Sequence, residues 1–305
     1  MIRIGTRGSA LALWQANEVK RLLGEAGYES EIVKVRTTGD KRQNVSLASI
    51  GGKGLFIKEL EEALTRREID IAVHSLKDVP SFIPPEFQLA AFLERADARD
   101  AWVQPDRKSI GSMPDGATIG TSAPRRRAQL RALYPKFRIE DMRGNVGTRI
   151  QKVRSGQYDG AVLAGAGLKR LGRESEITSF FPIEQMTPAA GQGIVAIETM
   201  TDEARKVAEA INHAPTAEAA RCERAVLQMF EDRLDCYSAV GVHAEIGATT
   251  TIRAFFGEID GERLIRVERS GTDREELVRA VHAELVAKGA LSLAARRVPL
   301  AGGSP

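Results

Sequence analysis

The stretch His74 to Pro80, HSLKDVP, places an imidazole, a hydroxyl, an ammonium and a carboxylate within five positions, directly after the apolar residues Ile69, Ile71, Ala72 and Val73. A short apolar run closed by turn residues reads as a fully buried strand. The polar groups therefore arrive at its carboxyl end, the edge of an open α/β sheet where ligands bind. That placement marks Asp78 and Lys77 as candidates for chemistry. The plainer alternative is that Asp78 orders a turn and Lys77 is solvated.

A second set of candidates is cationic. GTSAPRRR at a strand-to-helix junction, RGNVGTR at the next and GLKRLG after the following strand carry Arg125, Arg126, Arg143, Arg149 and Arg170. Guanidinium forks grip carboxylates bidentately, and helix N-termini add free N–H groups, so the repetition suits a ligand with several carboxylates. Residues 121–173 hold 13 Lys or Arg against Glu140, Asp141 and Asp159, so within a chain of net charge +3 the remainder sums to −7. Such a patch could serve nucleic acid, a membrane surface or a small polyanion. Tyr134, Phe137 and Tyr158 are too few to stack a single strand, and no nucleic-acid reading motif occurs.

Other motifs fall away. In SIGGKG the residue after Lys53 is Gly54, where a nucleotide loop needs Ser or Thr. GQGIVA, from Gly191 to Ala196, follows TPAA, which does not read as the strand a dinucleotide fingerprint requires. Cys222 and Cys236 form no CxxC, and the histidines lie scattered at 74, 213, 243 and 282, so no metal site is expected.

The elements that must position these residues alternate. Ile2 to Ile4 reads as a strand; Ser9 caps a helix whose Ala12, Ala16, Val19 and Leu23 share a face; Glu31 to Arg36 resumes a strand; Phe56, Leu60 and Ala63 mark a second helix. This β-α-β-α-β order implies a mainly parallel sheet with covering helices. DAWV, TIGTS, FRIEDM and DGAVLA repeat the pattern with a basic helix after Pro124 and another from Val146. From about Ala217 come a long helix, strands near Val242–Ile246, Thr250–Phe256 and Leu264–Arg269, and a helix with Leu277, Val281 and Leu285 aligned, a separate α+β unit.

With 305 residues, 43% hydrophobic and 28% charged, the chain has the composition of a globular protein of two or three domains. No apolar run reaches the roughly 18 residues of a membrane span, and the N-terminus lacks a secretory h-region, so a cytoplasmic location is expected.

Seven segments together, TRGSALALWQA, GGKGLFIKEL, HSLKDVP, GTSAPRR, MRGNVGTR, AGLKRLG and PAAGQG, resemble the porphobilinogen deaminase (hydroxymethylbilane synthase) family in order and spacing. The resemblance implies an α/β fold of three domains, two resembling type II periplasmic-binding-protein domains around a cleft and a third α+β domain. Their expected spans are 1–93 with 194–213, 94–193 and 214–305. It implies an enzyme that joins four porphobilinogen molecules head to tail with loss of ammonia, on a dipyrromethane cofactor held by a thioether to one cysteine. Asp78 would be the catalytic carboxylate, with Lys77 beside it meeting substrate carboxylates. Arg7, Ser9, Thr121, Ser122, Arg125, Arg126, Arg143, Gly144, Arg149 and Arg170 would hold the acetate and propionate arms, with Lys53 and Gln192 in loops near the cleft. Cys236 would carry the cofactor, since Cys222 lies in the helix AARCERAVL, where the family usually has none. A monomer is expected, without nucleic-acid or membrane partners. Two departures stand out: RLDCYSAVG lacks the usual Gly-Gly or Gly-Ser before the cysteine and the Pro after it, and Ala123 replaces a serine. The altered loop leaves a second reading, a non-catalytic polycarboxylate-binding protein of the same fold.

Overall fold

The computed structural model describes residues 1–35, 57–230, 233–234 and 238–294. The chain opens with β1 (Ile2–Thr6), α1 (Ala10–Glu25), β2 (Ser30–Lys34), α2 (Lys58–Thr65), β3 (Ile71–Ser75) and β4 (Gln88–Phe92). It continues with β5 (Asp100–Val103), β6 (Thr118–Gly120), α3 (Pro124–Leu133), β7 (Arg138–Glu140), α4 (Val146–Arg154), β8 (Gly160–Ala164), α5 (Gly165–Arg170) and β9 (Ile177–Phe180). Then follow β10 (Val195–Thr199), α6 (Asp202–Glu209), α7 (Ala214–Gln228), β11 (Ala239–Glu245), β12 (Thr250–Gly257), β13 (Leu264–Gly271), α8 (Arg274–Ala287) and α9 (Ala290–Ala294).

Local chemistry sets the helix starts. Ser9 caps α1 by accepting from the Ala12 N–H, and Asn145 caps α4 by accepting from Thr148. Ala16, Val19 and Leu23 of α1 are fully buried against Ile4 and Ile71, as their spacing requires.

Two five-stranded sheets share one plan. The first runs β2-β1-β3-β10-β4 and the second β7-β6-β8-β5-β9. In each a parallel trio comes first, followed by a strand antiparallel to both its neighbours. That antiparallel strand, β10 or β5, is the one by which the chain arrives from the other sheet. The sheets are therefore mixed, where strand and helix alternation predicted mainly parallel ones. The third sheet, β11-β12-β13, is antiparallel and buries one face under α7 and α8 through Val226, Phe230, Val242, Phe256 and Val281. Its other face meets α3, where Ala128 packs with Ala239 and Phe255. The expected α/β architecture, two matching units and a separate C-terminal one, is what the chain adopts.

Two segments cross between the first sheets, and they are hydrogen-bonded to each other: Ala96 N–H donates to the Gly193 carbonyl at 3.1 Å and Gln192 Nε2 to the Ala98 carbonyl at 2.7 Å. Gly193 has φ +86°, and a Cβ there would lie 2.5 Å from the Ala96 oxygen, so only glycine lets the strands approach. Among the described residues, no helix is long and apolar enough to cross a membrane.

Candidate functional site

Strand β3 is buried along its length and ends at Ser75 in a 3-10 turn, Leu76–Asp78. Leu76 and Val79 turn into the core with Ile194 and Ala196, and this leaves Lys77 and Asp78 facing outward. The turn is fixed from two sides. Leu76 N–H donates to the Ile194 carbonyl at 3.0 Å, while Arg224 and Gln228 of α7 donate to the Ser81 carbonyl at 2.9 and 2.7 Å. Polar residues after an apolar strand thus have a packing reason: Leu76 and Val79 anchor the turn and the two residues between them are presented.

Asp78 edges a pocket between β1, β3 and the start of α1, shared with Arg7, Ser9, Gln15 and Ser75. Gln15 donates to the Ser75 hydroxyl at 2.8 Å. The Ser9 oxygen is already engaged as the α1 cap.

Cations from the second unit act on the turn through their charge. Lys77 is open to water, yet enough protein surrounds the cleft floor to disfavour its charge. Burial is the largest influence, Arg126 and Arg125 add to it, Asp78 and Asp100 oppose it, and the ammonium is pushed down to about 8. Arg149 is pushed down to about 10 by burial and by Arg126, with Asp78 opposing, and its Nε donates to the Gly144 carbonyl at 2.8 Å. Gly144 has φ +111°, and a Cβ there would strike Thr148. Arg170 is likewise pushed down to about 10 by burial; it donates to the Gly193 carbonyl at 2.7 Å and lies 5.4 Å from the Trp14 ring. Arg170 therefore spans from α5 to α1, between the two units.

Arg125 and Arg126 open α3 and are buried, each with about 5% of its surface exposed. Both bind Asp100, the first residue of β5. Arg125 Nη1 reaches one carboxylate oxygen at 2.7 Å, while Arg126 Nε and Nη2 reach the other at 3.0 and 2.7 Å. Gln192 Nε2 donates to that second oxygen at 2.9 Å. Burial acts to raise the Asp100 carboxyl, but Arg125 and then Arg126 outweigh it and hold it below the usual carboxylate range. Thr121 and Ser122 lie just before this helix; the Thr121 hydroxyl accepts from Ala123 N–H at 3.3 Å and the Ser122 hydroxyl donates to the Met142 carbonyl at 2.8 Å. Arg143 is half-buried.

Lys53 and Cys236 lie outside the described residues. The strand that follows Cys236 is described, and it runs into the arginine cluster: a Cβ added to Gly241 would stand 3.0 Å from Arg125 Cδ and 2.8 Å from the Thr187 carbonyl oxygen. Buried Arg125 and Arg126, with Arg149, Arg170 and Lys77, are donors of the kind that a polycarboxylate requires. Cys222 is buried in α7, and burial pushes its thiol up, away from the reactive thiolate.

The residues that sequence reasoning missed are buried carboxylates. Glu223 of α7 takes Arg95 at 2.7 Å, Gly191 N–H at 2.6 Å and Ala244 N–H at 2.8 Å, which joins both crossing segments to β11. Glu198 of β10 meets His74 at 3.0 Å. For Glu198 and Asp100 the sequence signal is an acid at the edge of an apolar run, as in VAIE and DAWV; Glu223, close to Arg221 and Arg224, carries no such signal.

Comparison with known proteins follows this geometry. A family model described as "Porphobilinogen deaminase, dipyromethane cofactor binding domain" matches residues 2–208. The porphobilinogen deaminase of Geobacter sulfurreducens is 44% identical over 295 residues, covering 94% of this chain and 92% of that protein. That of Desulfitobacterium hafniense is 43% identical over 297 residues, covering 96% of each. Among solved structures, the methionine-binding protein MetQ aligns with a TM-score of 0.45 at 13% identity, covering 72% of this chain and 93% of that one.

Proposed function

The chain belongs to the porphobilinogen deaminase family, and from that premise we propose how its cleft carries out the family's reaction, the stepwise joining of four porphobilinogen molecules with release of ammonia. A dipyrromethane held through Cys236 would supply the free pyrrole α-carbon for the first unit, and each later unit would join the free α-carbon of the one before it. Lys77, Arg125, Arg126, Arg143, Arg149 and Arg170, with Arg7 and Ser9 from the first unit, hold the acetate and propionate arms. Thr121, Ser122 and Gly144 shape the helix starts that present these arginines, Gln192 braces them from the crossing strand, and Lys53 completes the cation set.

Loss of ammonia breaks a carbon–nitrogen bond and leaves positive charge delocalised over a methylene-pyrrole. Asp78 would meet that charge, and three features support this reading: it is exposed, its turn is fixed by the core, and Arg149 and Lys77 interact with its charge. A fixed charge aimed at developing charge needs no reorganisation at the moment of reaction. The observation that carries this reading is the single carboxylate of the 3-10 turn set among cations from the opposite unit.

Three compact domains, 1–93 with 194–213, 94–193 and 214–305, accompany this reading, as do a monomeric state and a cytoplasmic location. Intact mass tests it. Protein from cells that make tetrapyrroles should exceed its sequence mass by one dipyrromethane, and Cys236→Ala should lose that increment together with porphobilinogen-dependent ammonia release. An increment that survives Cys236→Ala would assign the attachment elsewhere, and a parent without increment or activity would refute the function.

A further inference from the structure

Asp100 is completely buried, and four donors converge on it: three N–H groups of Arg125 and Arg126, and the Gln192 amide. Gln192 also donates to the Ala98 carbonyl, so the carboxylate is fixed from the crossing segments and cannot swing toward the cleft. Without it, two adjacent guanidiniums would be buried with the carbonyls of Thr187 and Val162 as their other close acceptors, at 2.6 and 3.1 Å. Like charges so placed repel strongly and carry a desolvation cost each.

Arginine forks that bind this aspartate have the chemistry that binds an acetate or propionate arm. Building on the carboxylate-binding reading of the cleft, we propose that Asp100 is a positioning residue, an internal carboxylate that orients the Arg125 and Arg126 forks for ligand carboxylates and cancels one of their two charges. The pair then presents one net positive charge, beside Lys77 and Arg149. A growing chain gains two carboxylates with each unit, so uncancelled cations would hold the finished product ever more tightly. Asp100 keeps the forks ordered while limiting that hold, so the cleft binds polycarboxylates and still releases them.

The test compares parent and Asp100→Asn, full-length and as purified, by thermal midpoint with and without propane-1,2,3-tricarboxylate at fixed ionic strength. Asp100→Asn should melt on the order of 10 °C lower without the anion. The tricarboxylate should recover at least half of that loss and bind the variant about tenfold or more tighter than the parent. A loss that the anion leaves unchanged, or equal affinity in both proteins, would overturn the inference. A parent that the tricarboxylate does not stabilise would overturn the carboxylate-binding reading first, so the two failures are distinct. Should Asp100→Asn not fold, Asp100→Asn with Arg126→Gln again leaves one net cation and should fold. Failure of both would show that Asp100 acts through its shape and not its charge, against the inference.

Discussion

Lys77 and Asp78 are neighbours in sequence with different tasks, and their surroundings separate them. The protein around the outward-facing Lys77 disfavours its charge, Arg126 and Arg125 add to this against Asp78 and Asp100, and the ammonium is pushed down to about 8, so it loses its charge as pH rises through that value in the free protein. Carboxylate binding through Lys77 should then weaken, and kcat/KM, which reports the free enzyme, should fall above about pH 8. Arginine stays protonated there. Lys77→Arg, measured as a normalised kcat/KM profile against the parent, should lose that alkaline fall; an unchanged profile would assign it to another group. At this scale the positions of Lys77 and Asp78 just after β3 and of Arg125 and Arg126 at the start of α3 were legible from turn and strand signals, while the roles proposed for them come from the family resemblance. The sequence was silent on Asp100. DAWV shows one acid opening an apolar strand, and nothing in those four letters says that two arginines about 25 residues on will close over it.

At the scale of elements, the site depends on how the crossing segments press on the 3-10 turn. Gly191, with φ +74°, packs against Leu76, and Gly193 carries both the Ala96 hydrogen bond and the Arg170 contact on its carbonyl. Gly193→Ala requires a left-handed residue with its Cβ against a backbone oxygen, so a loss of about 2 kcal/mol or more in unfolding free energy is expected. Urea denaturation checks this, and a midpoint equal to the parent would mean that the crossing segments are looser than described. The helices of both sheets were readable from apolar spacing and caps, as Ser9 and α1 illustrate. Strand β10 was not. Val195 to Thr199 is buried throughout and has no alternation, and pairing to β3 and β4 is a long-range choice that local pattern does not encode. The same limit explains why the sheets read as mainly parallel.

At the scale of the molecule, three units meet through buried carboxylates, Asp100 between α3 and the crossing segments and Glu223 between those segments and β11. Of the basic residues in 121–173, Arg125 and Arg126 are buried on Asp100, whereas Arg127 with Asp141 and Arg154 with Glu176 are ion pairs at the surface. Arg125, Arg126 and Arg149 are cations of that stretch whose charge acts on the Lys77–Asp78 turn. In that setting we propose Asp78 as the anion that steadies the pyrrolic cation. Single-turnover ammonia release from porphobilinogen by Asp78→Asn, with KM measured alongside, tests this most directly. The account predicts a rate about 10² to 10³ lower with KM within a few-fold of the parent; a rate within a few-fold of the parent would contradict it.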